Sequence, residues 1–71
     1  MNWKFADLSL NGHEYTVSEC DGDFFVAVHF DRYMPGSVRT IRTSKRIHTD
    51  GKMGQFLIGL AQTKWAARKE I

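Results

Sequence analysis

Residues 8–30 read LSLNGHEYTVSECDGDFFVAVHF, and the dipeptides Asn11-Gly12 and Asp21-Gly22 inside them decide the fold. Both pairs favour the type I′ two-residue hairpin, whose central residues need positive φ, a conformation open chiefly to Gly, Asn and Asp. With such turns Leu10 pairs with His13, Leu8 with Tyr15, Ala6 with Val17 and Lys4 with Glu19. The second turn sets Val17 opposite Val26, Tyr15 opposite Val28 and His13 opposite Phe30. Directly paired residues share a face of the sheet. One face of the three-strand meander therefore collects Ala6, Leu8, Leu10, Tyr15, Val17, Phe24, Val26, Val28 and Phe30, nearly every aliphatic residue of this half.

The opposite face is only partly polar. Glu14, Thr16, Ser18, His29 and Asp31 fall there, but so do Trp3, Phe5 and Phe25, with Phe5 and Phe25 flanking Ser18 in one cross-strand row. Clustered exposed rings on a small protein mark a contact surface. The alternative is that a tail, a bulge near Ala6-Asp7 or a dimer partner covers them.

Working outward, Met34-Pro35-Gly36 reads as a turn, with φ fixed at Pro and free at Gly. A fourth strand follows over about 38–43. A two- or four-residue connection puts Ile41 on the aliphatic face and Val38, Thr40 and Arg42 on the aromatic face, whereas a three-residue loop reverses this. Residues 44–50 read as a loop or a frayed extension of that strand.

Asp50 or Thr49 suits the N-cap of a helix running from Lys52 to about Lys69. Met53, Phe56, Leu57, Leu60, Ala61, Ala67 and Ile71 gather on one side of it, and Ile58 and Trp65 fall at the margin as rim packing. Lys64, near the stripe's centre, is expected to snorkel past the end of the sheet. Gly54 and Gly59 weaken the helix, so it requires tertiary packing. The expected fold is α+β: a two-layer ββββα domain over 1–71, an antiparallel four-stranded meander sheet (about 3–43) on one C-terminal helix (about 51–69).

The 71 residues, 42% hydrophobic and 13% aromatic, suit one small folded domain. The longest apolar run, FLIGLA at 56–61, is too short to span a bilayer, and Asp7 interrupts any signal-peptide reading of the first residues. A single cysteine, Cys20, excludes an intrachain disulfide and fits a reducing, cytoplasmic location. No metal or other cofactor is expected. The net charge of +2 hides an asymmetry: residues 1–31 hold Lys4 against six acids, and residues 32–71 hold nine bases against Asp50 and Glu70.

Most of that positive charge lies in VRTIRTSKRIHTDGK, residues 38–52. Arg39, Arg42, Lys45, Arg46, His48 and Lys52 form the strip, and Thr40, Thr43, Ser44 and Thr49 add hydroxyls, a combination suited to phosphate. The helix start at 50–53 supplies free N–H groups beside it. With Arg42 on the face of Phe5 and Phe25, basic groups stand beside stacking platforms, as single-stranded nucleic acid requires. A basic edge strand also guards against sheet-to-sheet aggregation, without any ligand.

The expected function is thus a non-catalytic binding module for nucleic acid or a nucleoprotein complex, through Arg39, Arg42, Lys45, Arg46, His48 and Lys52 together with Trp3, Phe5 and Phe25. The alternative is a protein-binding inhibitor or adaptor, of the accessory kind found in phages and mobile elements, that occludes a site on a nucleic-acid-handling host protein. Homodimerisation through the sheet edge or the aromatic face is a further option; a membrane is not. The dispersed His13, His29 and His48 form no metal or nucleophile set. Arg42, Arg46 and His48 could serve a ribonuclease only if they converged on one phosphate.

Overall fold

A computed structural model of the chain describes residues 2–33, 36 and 40–68. Strands β1 (Trp3–Leu10), β2 (His13–Cys20), β3 (Asp23–Tyr33) and β4 (Thr40–Ile47) form one open antiparallel sheet in the order β1-β2-β3-β4, followed by α1 (Lys52–Arg68). The expected ββββα architecture is what the chain adopts. Among the described residues no helix is long and apolar enough to cross a membrane.

Both hairpins turn as the sequence dictates. Asn11 and Gly12 have φ of 52° and 79°, and Asp21 and Gly22 have 51° and 89°, the all-positive signature of type I′. The registers follow directly: Leu8 faces Tyr15, Ala6 faces Val17, and Val17 faces Val26 in turn. Gly36 also has a positive φ, 78°. Met34, Pro35, Val38, Arg39, Lys69, Glu70 and Ile71 lie outside the described residues, so the rest of that turn, the proposed start of the fourth strand and the end of the helix stripe do too.

The fourth strand extends past Thr43, to Ile47. It pairs from Thr40 opposite Tyr33 to Ile47 opposite Val26, so of the two readings of residues 44–50 the strand extension holds for 44–47. Six residues separate Tyr33 from Thr40. An even spacing preserves the expected faces: Ile41 lies on the helix side and Arg42 on the aromatic side.

The core lies between sheet and helix, with Ala6, Leu8, Tyr15, Val17, Val26 and Val28 from the strands and Leu57, Ile58, Ala61 and Trp65 from α1. Leu57, Val17 and Val26 are fully buried. The helix is rotated from the expected stripe. Ile58 and Trp65, read as rim, are core residues, while Met53, Phe56 and Leu60 are exposed and so is Ala67. The helix carries apolar side chains on two adjoining faces, and contacts to β1 select between them. Trp65 Nε1 donates to the Phe5 carbonyl at 3.2 Å, Arg68 to the same oxygen at 3.4 Å, and Lys64 Nζ to the Asp7 carbonyl at 2.8 Å. β1 has no strand beyond it, so these donors also cover the outer edge of the sheet. Lys64, expected to pass the end of the sheet, instead ends on the side edge of β1 at Asp7.

α1 starts after Gly51, one residue later than a cap at Asp50 and two later than one at Thr49. Gly51 N donates to His48 O at 3.4 Å, Gln55 N to Gly51 O at 2.9 Å, and the Gln55 side chain to Thr49 O at 2.7 Å. These bonds fix the turn that carries His48.

Candidate nucleic-acid interface

The face of the sheet away from the helix holds the candidate site. Trp3 and Phe5 stack at 5.9 Å between ring centroids, 17° from parallel, and Trp3 meets Phe25 at 5.6 Å with the planes tilted by 40°. Phe5 and Phe25 are brought together because both are opposite Ser18, whose small side chain leaves room for rings on either side. Trp3 and Phe5 are exposed and Phe25 is half-buried. Nothing in the described chain covers the cluster.

Strand β4 supplies the charge to this cluster. The guanidinium of Arg46 lies 4.5 Å from the centroid of Phe25, a cation–π contact. Arg46 reaches it because Ala27, its cross-strand partner, is small. Residue 48 follows Ile47, the partner of Val26, and so comes level with Phe25, with His48 exposed.

The rest of the basic strip divides. Lys45 pairs with Val28 and therefore stands on the helix side of the sheet, away from the rings. Lys52 is in the first turn of α1. Arg42 is on the aromatic face but is occupied by acids: its Nη1 meets Glu14 Oε2 at 2.5 Å and its Nε meets Asp31 Oδ1 at 3.5 Å. Arg42 and Arg46 are four strand positions apart, about 13 Å, so they do not close on one phosphate with His48. Arg39 lies outside the described residues.

A polar chain that the sequence reading missed crosses the middle of this face. Thr16 donates its hydroxyl to Asp7 Oδ1 at 3.0 Å and lies 2.8 Å from His29 Nε2, while His29 Nδ1 lies 3.2 Å from the Ser44 hydroxyl. A threonine has one O–H. With that proton on Asp7, Thr16 must accept from His29 Nε2–H, which leaves Nδ1 of the neutral ring to accept from Ser44. Asp7 is opposite Thr16, and His29 lies diagonally from Thr16, two positions along β3 from its partner Ala27, so the two hairpin registers alone could have exposed most of the chain; Ser44, opposite His29, required the β4 register. Asp7, Thr16 and His29 line a shallow depression of about 440 Å³ that also takes in Glu14 and Arg42.

Cys20 pairs with Trp3 and is buried. Burial and then the Asp21 carboxylate hold its thiol above the ordinary range, the opposite of nucleophile activation. Among the described residues no group of His, Cys, Asp and Glu could hold a metal ion. No protein-family model, curated protein or solved structure matches the chain.

Proposed function

We propose that the chain is a non-catalytic binding module that takes single-stranded nucleic acid, free or in a nucleoprotein complex, on the outer face of its sheet. The observation that carries the reading is the contact of Trp3 with both Phe5 and Phe25, and of Arg46 with Phe25. Every base offers a face to stack, and each stacked base is worth about 1–3 kcal/mol. Arg46 and His48, at the border of the rings, would meet the backbone phosphates. A lone cysteine and this partner class support a cytoplasmic location.

The test is titration with a short oligothymidylate, followed by tryptophan emission. Trp3 is half exposed at 47% and Trp65 is buried at 9%, so Trp65→Phe isolates the reporting residue. Stacking should quench Trp3, and affinity should fall steeply with salt. Trp3 emission indifferent to the oligonucleotide, or an affinity independent of salt, removes the proposal.

A second reading has its own support. Glu14 and Asp31 neutralise Arg42, so half of the outer face offers acids rather than free cations. That suits an inhibitor or adaptor that sets its acidic end on a basic nucleic-acid-handling protein, with the ring cluster as anchor. Capture of such a protein from nuclease-treated lysate by the native chain, and not by Trp3→Ala/Phe25→Ala, would favour it.

A further inference from the structure

The ring cluster has a second cationic border, outside the basic strip of the sequence. Arg68, in the last turn of α1, donates from Nη1 to the Phe5 carbonyl at 3.4 Å. With Phe5, Trp65 and Lys4 it lines a small depression of about 190 Å³ at the margin of β1. Lys4 faces the helix there, its Nζ 5.9 Å from the centre of the Trp65 ring. Arg68 reaches the margin because Trp65, three residues earlier on the same side of α1, is anchored on the same carbonyl.

These contacts complete a row across the sheet. The Arg46 guanidinium is 4.5 Å from the centre of Phe25, Phe25 is 5.6 Å from Trp3, Trp3 is 5.9 Å from Phe5, and Arg68 holds the carbonyl of Phe5. Arg46 belongs to β4 and Phe5 to β1, the two outer strands. The row therefore crosses the strands and has a cation at each end. Among the described residues neither cation is in an ion pair; the ion pairs present both belong to Arg42.

Charge along the strands has the opposite sign. Asp23 pairs with Cys20, the partner of Trp3, so it shares the face of the rings at their turn end, with Asp21 just beyond it in the turn. At the other end come Asp7, Glu14 and Asp31, the last two around Arg42. A polyanion laid along β1–β3 would meet carboxylates at both ends. Laid across them, it meets a guanidinium at both ends.

Resting on the nucleic-acid reading of this face, we propose that a single strand crosses the sheet from β4 to β1, its bases on Phe25, Trp3 and Phe5 and its phosphates on Arg46 at one border and Arg68 at the other. β1 and β4 are three inter-strand spacings apart, about 14 Å. Three bases on three rings, with a phosphate at either border, give a footprint of about four nucleotides, the short end of the range for single-strand sites.

The experiment is anisotropy titration of the full chain with fluorescein-labelled oligothymidylates of two, four, six and eight nucleotides at several salt concentrations. Affinity should rise steeply from two to four nucleotides and then level off. For the four-nucleotide probe, Arg68→Ala should weaken binding about fivefold or more and lower the salt slope by about one, whereas Arg68→Lys should keep the slope. Arg68 is exposed and Trp65 still donates to the Phe5 carbonyl in both variants, and circular dichroism confirms that they are folded. Two outcomes overturn the crossing path while leaving the face a nucleic-acid site. One is binding that Arg46→Ala weakens but that is indifferent, in affinity and in salt slope, to Arg68→Ala. The other is affinity that climbs steeply up to eight nucleotides, as a track along the strands requires. No binding at any length removes the site itself, and the path with it.

Discussion

The indole of Trp65 donates to the main-chain carbonyl of Phe5 across 60 residues of sequence, at 3.2 Å, and so ties the last turns of α1 to the outer edge of β1. Trp65 is also a core residue, packed with Leu57, Ile58 and Ala61. The two roles separate by substitution. Trp65→Phe keeps most of the apolar volume and loses the donor, which should cost about 1 kcal/mol. Arg68 still donates to the same oxygen, which limits the loss. Trp65→Ala empties the site and should cost about 3–5 kcal/mol. Urea denaturation followed by circular dichroism measures both; equal losses would mean that the hydrogen bond, not the packing, anchors the helix.

The two helix glycines should respond in opposite directions. A Cβ on Gly54 would stand 2.2 Å from the His48 carbonyl oxygen and 2.9 Å from the Thr49 Cα, backbone atoms that cannot swing aside. Gly54→Ala should therefore destabilise by about 2 kcal/mol despite alanine's better helix propensity. Gly59 has open space around the same position. Gly59→Ala should stabilise by up to about 1 kcal/mol. Melting curves of the two variants, side by side, decide the matter.

The contrast shows where sequence reading stops. The Asn-Gly and Asp-Gly turns have one inexpensive backbone solution, and each fixes a register, so both faces of β1–β3 were legible residue by residue. The helix offered no such constraint. Met53, Phe56 and Leu60 are as apolar as Ile58 and Trp65, and only the match of Trp65 to the Phe5 carbonyl and of Gly54 to the His48 turn chooses the buried side. In Thr43-Ser44-Lys45-Arg46 no apolar alternation marks a strand, yet pairing with β3 makes it one. The basic strip therefore looked continuous in sequence, whereas alternation places Lys45 on one face and Arg46 on the other.

Arg42 and Arg46 should differ sharply as ligand-binding residues. Arg42 is half exposed and already engaged by Glu14 and Asp31. Its replacement by Ala should change stability by less than about 1 kcal/mol, as for other exposed ion pairs, and should weaken oligonucleotide binding only slightly. Arg46 faces the ring of Phe25 and has no carboxylate at that contact. Arg46→Ala should weaken binding about five- to thirtyfold, in line with loss of one charge-assisted phosphate contact and a cation–π contact, and should lower the salt slope by about one. Anisotropy titrations at several salt concentrations test the order, and a larger loss at Arg42 than at Arg46 would contradict the assignment of the site to the ring cluster.

Cys20 supplies a pH-dependent prediction. Its thiol is buried and donates toward Asp21 Oδ2 at 3.7 Å, and burial, then Asp21, raise its pKa above the ordinary value. A thiol reacts as thiolate, so alkylation by iodoacetamide at pH 8 should be slower in the folded chain than in urea, and its rate should climb at higher pH than that of a free thiol. The linkage has a definite sign. The unfolded chain loses this proton first, so the contribution of Cys20 to stability is complete below about pH 8.5 and declines as pH rises further. Asp21→Asn removes the negative neighbour while keeping a residue that tolerates positive φ, here 51°. The variant should fold, and its Cys20 should alkylate faster at pH 8 than that of the native chain. An unchanged rate would show that burial alone suppresses the thiolate.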